Sequence, residues 1–271
     1  LNLEKYDEWK DDNNFIPDVM RMLDNVLTDF IEKAPESFSD ATYSALKERS
    51  VGLGVMGLHS YFQQKKIPFE SVMSKVWNKK IFSNIQKQVD QASKDLADER
   101  GPCPDAADYG INERFSNKTA IAPTASISII CGGTSPGVEP IAANSYTHKT
   151  LSGSFNVRNK YLTEVLEKYG KNDEETWSSI TTNQGSVSHL DFLSQNEKDV
   201  FKTAFELDQR WIVDLGADRT PHISQAQSIN IFIPADIHKK DLHQIHFQAW
   251  KKGLKSLYYC RSKSIQRAEN V

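Results

Sequence analysis

The spacing of apolar residues predicts that the first third of the chain is mainly helical. Apolar side chains recur at helical spacing over 18–33 and again over the longer span 71–99. The longer pattern stops at residues 101–102, a Gly-Pro pair, because glycine ends helices and proline cannot continue one. A shorter helix is predicted over 41–49.

From residue 101 onward, short apolar stretches alternate with further helical patterns. Strand, helix and strand follow one another in the last part of the chain, and such a βαβ unit implies parallel strands. The fold class is therefore α/β with a helical N-terminal third. Helices are predicted over 161–169, 196–215 and 236–255, and strands over 119–122, 228–233 and 256–260.

Three glycines near position 54 have the spacing of a GxGxxG phosphate loop. No clear strand precedes Gly52, and Glu70 comes too early to be the acidic partner of a dinucleotide site. Close packing against a helix is the favoured interpretation of Gly52, Gly54 and Gly57.

Composition narrows the class of protein. The 271 residues carry 33 Lys plus Arg and 36 Asp plus Glu, a net charge of −3, which argues against a dedicated nucleic-acid binder. No apolar run approaches the ~18 residues of a membrane span. Cys103, Cys131 and Cys260 form no CxxC pattern, which suits a reducing compartment and gives no disulfide or zinc signature. A cytoplasmic location is expected.

The segment 122–128 (APTASIS) is a candidate phosphate-binding turn. A strand end runs into hydroxyl residues that could open a helix, and free N–H groups at a helix start bind phosphate. Thr124, Ser126 and Ser128 would add hydroxyl groups. Simple helix capping by these residues is commoner, and the residues alone favour it.

Tyr258 and Tyr259 are a candidate radical-relay pair, because neighbouring phenols can pass an electron and a proton together. The alternative is a pair of ordinary strand tyrosines, which composition alone favours. In a regular strand neighbouring side chains point to opposite faces, so the rings could stack only where the backbone departs from that geometry.

Two other features are weaker. His243 and His246 could share a metal ion across one helix turn, but no cysteine or acidic partner accompanies them, so solvated positions are favoured. Glu139 lies in a turn of sequence GVEP. It would either line the same pocket as the segment 122–128, called the Thr/Ser turn below, or merely cap a turn.

Taken together, the segments resemble the large catalytic subunit of class I ribonucleotide reductase. Several separated motifs occur in the order of that family, and they extend over almost the whole chain. The matching stretches are 52–58 (GLGVMGL), 122–128 (APTASIS), 137–140 (GVEP), 144–147 (NSYT), 151–155 (LSGSF), 224–230 (SQAQSIN) and 250–259 (WKKGLKSLYY).

The resemblance implies reduction of ribonucleotides to deoxyribonucleotides by radical chemistry inside a ten-stranded α/β barrel. The tyrosine pair would fall on Tyr258 and Tyr259 and would relay the radical to a cysteine on a central finger loop. The resulting thiyl radical takes the 3′ hydrogen of the substrate, and a cysteine pair supplies electrons as the 2′ hydroxyl leaves. The substrate diphosphate would be held by Thr124, Ala125, Ser126, Ile127 and Ser128.

The chain departs from the family pattern in its cysteines. None of the three lies in a stretch that resembles the finger loop, the dithiol partners or the reducing C-terminal tail. The resemblance therefore implies a C-terminal portion, inactive alone, whose active-site cysteines come from an N-terminal part of the large subunit. Further expected partners are a metal-containing small subunit that generates the radical, and thioredoxin or glutaredoxin as electron donor. No metal or cofactor is expected in this chain.

The expected architecture is one incomplete domain over 1–271, mainly helical over 1–100 and half of an α/β barrel over 101–271. Half a barrel exposes strand edges that a complementary chain would cover. Two alternatives remain at this stage: a non-catalytic assembly remnant of the same fold, and an unrelated α/β phosphate-binding protein.

Overall fold

The computed structural model of the chain describes residues 1–150 and 153–263, without the side chains of 148–150 and 263. This part contains twelve α-helices and four β-strands. The helices are α1 (Tyr6–Trp9), α2 (Phe15–Lys33), α3 (Ser39–Glu48), α4 (Leu58–Gln64), α5 (Val72–Arg100), α6 (Pro104–Asp108), α7 (Ala125–Ile130), α8 (Lys160–Lys168), α9 (Glu174–Thr182), α10 (Gln195–Val200), α11 (Gln209–Arg219) and α12 (Lys239–Lys251), and the strands are β1 (Ser145–Thr150), β2 (Gly153–Arg158), β3 (Ile231–Pro234) and β4 (Cys260–Lys263).

The long helices of the first third confirm the prediction from apolar spacing. Helix α2 begins three residues before the predicted start and buries Ile16 and Met20. Helix α5 begins after Ser71, whose hydroxyl accepts the N–H of Ser74 at 3.1 Å as an N-cap. It ends at Gly101, which has φ +85°, a backbone conformation that glycine adopts without strain.

A buried carboxylate ties these helices together. Asp24 of α2 is 0% exposed, and three guanidinium groups bond to it, from Arg49 after α3, Arg100 at the end of α5 and Arg114. The nitrogen–oxygen distances are 2.8, 2.9 and 2.9 Å. A buried charge is tolerated only when it is paired in this way.

Within the described residues, five extended segments lie side by side in chain order, and each contact between neighbours is parallel. Only the last two are long enough to form a regular pair, β3 with β4. The others meet at single bridges, so the predicted strand 119–122 exists as an extended segment rather than a regular strand. The parallel contacts are Asn2–Met56, Leu53–Thr119, Ile121–Gln227 and, between β3 and β4, Ile231–Cys260.

This arrangement is an α/β fold with helices between successive parallel segments, as predicted. Five parallel segments are half of the ten that the barrel requires. Helix α12 connects β3 to β4 and completes the predicted βαβ unit. Strands β1 and β2 form a separate antiparallel hairpin in which Ser145 pairs with Arg158.

Gly52 and Gly54 pack against an extended segment, not against a helix as predicted, whereas Gly57 directly precedes helix α4. A Cβ on Gly54 would lie 2.2 Å from the carbonyl oxygen of Ala120, and one on Gly52 would lie 3.1 Å from the Ala120 Cβ. Leu53 is bridged to Thr119 in the same contact. These two glycines therefore let two backbones approach closely.

The single helix predicted over 196–215 is wrong, since α10 and α11 are separate. Between them the Ala204 N–H donates to the carbonyl of Ile141 at 2.7 Å, so it is not available to a continuous helix. Asp208 then caps the new helix by accepting the Arg210 N–H at 3.0 Å. The apolar pattern continues across the break because Ala204 and Leu207 are buried even though they lie between the two helices.

The largest hydrophobic cluster joins α2 and α5 to the parallel segments, with Phe82 and Ile121 among its members. A second cluster holds α8, α9 and α10 together around Trp177, and a third lies between β3 and α12. Across the described ranges, no helix combines the length and the apolar character that crossing a membrane requires.

Candidate active site

The Thr/Ser turn follows the extended segment that contains Thr119 and Ile121, and it leads into helix α7, as predicted. Thr124 has φ +52°, in the left-handed region that β-branched residues rarely adopt. Its hydroxyl oxygen accepts the backbone N–H of Gly137 at 2.7 Å. The side chain that the sequence offered as a helix cap therefore bonds to the GVEP turn instead, and it holds the two turns together.

The start of α7 presents backbone donors. The N–H groups of Ala125, Ser126 and Ile127 have no hydrogen-bond partner among the described residues, and all three residues are exposed. Ser128 differs, because it is buried and its hydroxyl donates to the carbonyl of Ala125 at 3.1 Å. The turn can thus offer three N–H groups to an anion, while the Ser128 hydroxyl already has a partner.

A cavity of about 480 Å³ opens beside this turn, and its wall is mainly apolar. Ala125 and Ser128 line it, whereas Thr124, Ser126 and Ile127 do not. The hairpin and the start of α8 form the opposite wall. Their contribution includes Tyr146, Val157, Arg158, Asn159, Lys160 and Tyr161.

A second cavity, of about 420 Å³, shares Pro136 and Ala142 with the first. Its lining includes one carboxylate, Glu139, and one guanidinium, Arg261. The cavity beside the predicted substrate turn and the cavity lined by Arg261, two residues after Tyr259, therefore share part of their walls.

The rings of Tyr258 and Tyr259 contact each other in a tilted arrangement. Their ring centroids are 4.2 Å apart with an interplanar angle of 53°, and both side chains are about half exposed, at 50% and 56%. The side-chain hydrogen bond with the Tyr259 phenol raises the pKa of Tyr258. The structure thus brings together the two phenols that the sequence singled out.

The two rings can contact each other because the pair precedes the strand in which the sequence placed it. The predicted strand 256–260 begins only at Cys260. The Tyr258 N–H donates to the Ile229 carbonyl at 2.8 Å, but the Tyr259 N–H donates to the side-chain oxygen of Asn230 at 2.9 Å. This side-chain acceptor interrupts the regular backbone hydrogen bonding of a strand pair. The two rings therefore need not point to opposite faces.

Glu139 is a buried carboxyl, with 6% of its surface exposed. Burial raises its pKa, and this effect outweighs Asn230 and the positive charge of Arg261, which lower it. Its Oε1 and the Nδ2 of Asn230 are both buried without a hydrogen-bond partner in the described part of the chain. The sequence suggested only that Glu139 lines a pocket or caps a turn, and it gave no signal for Asn230 or Arg261.

His243 and His246 make contacts that do not form a metal site. The ring of His243 stacks on Phe247 at 5.9 Å, and the Nδ1 of His246 lies 2.8 Å from the carbonyl oxygen of Leu242. Among residues 1–150 and 153–263, no group of three His, Cys, Asp or Glu side chains could hold a metal ion. Of the three free cysteines, Cys103 is buried, and Cys131 and Cys260 are exposed.

Known proteins with similar sequences are ribonucleotide reductase large subunits. The chain is 51% identical to the ribonucleoside-diphosphate reductase large subunit of Invertebrate iridescent virus 6, and 44% identical to that of Invertebrate iridescent virus 3. Both comparisons include all of this chain, but it spans only 28% and 43% of those proteins.

A solved structure agrees with this result. The chain superimposes on the class Id ribonucleotide reductase alpha subunit of Actinobacillus ureae with a TM-score of 0.90 and 37% identity, over all of this chain and 50% of that one. This match confirms the predicted partial α/β barrel and excludes an unrelated phosphate-binding fold. The family profile described as "Ribonucleotide reductase, barrel domain" matches residues 1–113 and 105–260. The chain therefore belongs to the ribonucleotide reductase barrel-domain family.

Proposed function

We propose that the chain is part of a ribonucleoside-diphosphate reductase large subunit, and that it reduces ribonucleotides to deoxyribonucleotides once assembled with the part that carries the active-site cysteines. The observation that carries this proposal is the contact between the rings of Tyr258 and Tyr259, in a chain whose sequence matches the reductase family almost throughout. An ordinary strand would have pointed these two rings in opposite directions.

In this proposal the tyrosines relay the radical as a hydrogen atom. A tyrosyl radical at one position takes the phenolic hydrogen of the other, so that one phenol is restored as the second radical forms. The contact between the two phenols favours such a step, because the electron and the proton then move over one short distance. The second radical would next take hydrogen from a cysteine thiol outside this chain.

The turn at 124–128 would hold the substrate diphosphate. The N–H groups of Ala125, Ser126 and Ile127 would donate to phosphate oxygens, as they do at other helix starts. Thr124 would act by fixing the turn through its contact with Gly137. Ser128 would keep the first turn of α7 in place or rotate its hydroxyl towards the substrate.

Other proteins complete the proposed enzyme. An N-terminal part of the large subunit supplies the radical cysteine and the reducing cysteine pair. A metal-containing small subunit generates the radical, and thioredoxin or glutaredoxin provides electrons. The proposed location is the cytoplasm, and the substrate is a nucleotide rather than a nucleic acid.

The test is to assemble the chain with a matching N-terminal part and a small subunit, and to assay reduction of a ribonucleoside diphosphate. Tyr258→Phe and Tyr259→Phe should each abolish turnover, because phenylalanine has no phenolic hydrogen to transfer. The matched control is Tyr43→Phe on α3, an exposed tyrosine without a part in the proposed relay, which should retain activity. Turnover that survives either relay substitution would refute the proposed role.

The same assay separates the remaining alternative. A tight wild-type complex that forms but never reduces nucleotides would support a non-catalytic assembly protein of the same fold. Substitution of Ser126 by Ala keeps the backbone N–H and removes the hydroxyl, so it tests whether that hydroxyl adds to phosphate binding. Unchanged nucleotide affinity in that variant would remove its hydroxyl from the binding site.

A further inference from the structure

We propose that Glu139 and Asn230 form a positioning pair for Tyr259, in which Glu139 orients the Asn230 amide and Asn230 holds the backbone of Tyr259. This inference rests on the proposed relay, because it explains how one of its two members is held. It assigns a role to Glu139 of the GVEP turn, to which the proposed substrate binding and radical transfer give none.

The contact between Asn230 and Tyr259 is the first step of the argument. Asn230 is 1% exposed, and its side-chain oxygen accepts the Tyr259 N–H at 2.9 Å. An amide can rotate about its last side-chain bond, so a single contact at the oxygen does not fix the plane of the group. A second contact at Nδ2 would fix it.

Glu139 supplies the matching group for that second contact. Among the residues that the structure describes, neither its Oε1, a buried acceptor, nor the Nδ2 of Asn230, a buried donor, has a hydrogen-bond partner. The Asn230 side chain is close enough to lower the pKa of the Glu139 carboxyl. A buried donor and a buried acceptor are both unfavourable when they are left unpaired, which favours a contact between these two groups.

Arg261 links the same carboxyl to the ring of Tyr259. Its guanidinium carbon lies 5.9 Å from the Tyr259 ring centroid, and its charge lowers the pKa of Glu139. Apart from Glu139 itself, Arg261 is the one charged side chain among the described residues that line this cavity. The other side chains that line the cavity include Phe205 and Phe232, which are apolar.

Ionised Glu139 would therefore do two things at Tyr259. It would orient the Asn230 amide that holds the backbone, and it would balance the Arg261 charge beside the ring. Protonation would remove the charge that balances Arg261 and turn one carboxyl oxygen into a donor, which leaves only the neutral carbonyl oxygen, a weaker acceptor, for Nδ2. The environment of Tyr259 should then follow the ionisation of Glu139.

The experiment places 3-fluorotyrosine at position 259 of the full chain and records its fluorine NMR signal from about pH 4 to about pH 7, a range in which the phenols stay protonated. We expect one titration step with a midpoint above the ordinary glutamate value of about 4.3. Glu139→Gln should remove the step, and Asn230→Ala should strongly reduce it. A step that persists unchanged in Glu139→Gln would overturn the proposal.

A matched control is Glu70→Gln, which removes a half-buried carboxylate that bonds to Lys202 and the Asp208 N–H instead. Its fluorine signal should titrate as in the wild type. Near-ultraviolet circular dichroism of each variant reports whether the fold is retained. Glu139→Gln should fold, because a neutral amide is easier to bury than a carboxylate.

Turnover of the assembled enzyme separates this inference from the proposed function. If the relay operates, Glu139→Gln should lower kcat by on the order of tenfold to a hundredfold, the cost of misplacing reacting groups by up to about 1 Å, with KM unchanged. Turnover that survives Tyr259→Phe refutes the relay, whatever the NMR signal shows. Turnover lost in Tyr259→Phe, with both kcat and the NMR step unchanged in Glu139→Gln, refutes the positioning pair alone.

Discussion

The hydroxyl of Thr124 provides a sharp test of how the substrate turn is held. Thr124→Val keeps the branched shape of the side chain, including the strain of φ +52°, but removes the acceptor for the Gly137 N–H. Thr124→Ser keeps the acceptor and removes only the methyl group. The two variants therefore separate the hydrogen bond from the side-chain shape.

The size of the effect follows from burial. Gly137 is buried, so its N–H would be left without a partner in Thr124→Val, at a cost of about 1–3 kcal/mol in the free energy of unfolding. For a chain of this size the cost corresponds to a fall in Tm of roughly 2–12 °C. Thr124→Ser should stay within about 1 kcal/mol of the wild type, because serine tolerates the left-handed region at least as well.

Thermal and urea unfolding of the chain measure the structural part of this prediction. Isothermal titration of a ribonucleoside diphosphate into the assembled enzyme measures the functional part. Loss of the hydrogen bond to Gly137 should displace the turn in Thr124→Val. Nucleotide affinity should therefore fall by up to about 100-fold in Thr124→Val and should change little in Thr124→Ser. Equal behaviour of the two variants in both assays would show that the Gly137 contact does not hold the turn.

Three further predictions concern the framework. Asp24→Asn leaves three guanidinium groups without their buried counter-charge and should cost about 3–5 kcal/mol in urea unfolding, whereas an effect below about 1 kcal/mol would contradict the buried network. Burial lowers the pKa of His59 to about 3, so the free energy of unfolding should be highest above about pH 6.5 and fall below it by up to about 1.4 kcal/mol per pH unit. His59→Gln should remove that part of the slope, and an unchanged slope would contradict it. Gly54→Ala should lower Tm more than Gly52→Ala, because its Cβ meets the Ala120 carbonyl at 2.2 Å, and the reverse order would refute the close backbone approach.

The helices were predictable wherever a local signal marked both ends. Helix α5 carries a serine N-cap at Ser71 and a glycine at position 101, and both signals can be read from the sequence. The break between α10 and α11 could not be read in the same way. It depends on the Ala204 N–H bonding to Ile141, more than 60 residues away, and a periodic apolar pattern contains no information about that contact.

The tyrosine pair shows the same limit at the site. Alternation in a strand predicts that Tyr258 and Tyr259 point apart, and only the family resemblance suggested otherwise. What brings the rings together is the Asn230 side chain, which takes the place of a backbone acceptor. Burial of Glu139 was equally hidden, because its local sequence resembles an exposed turn. Side chains that act through tertiary contacts of this kind carry no local pattern.

One extended segment connects the two candidate regions. On one side Gln227 is bridged to Ile121, which leads into the substrate turn, and on the other side Asn230 holds Tyr259. The buried guanidinium of Arg219 holds this segment in place, because it donates to the side-chain oxygen of Gln227 at 2.5 Å. Both regions contact the same short segment. A substitution at Arg219 should therefore disturb nucleotide binding and the tyrosine pair together. Substitutions at Thr124 or Glu139 should each disturb only one of the two regions.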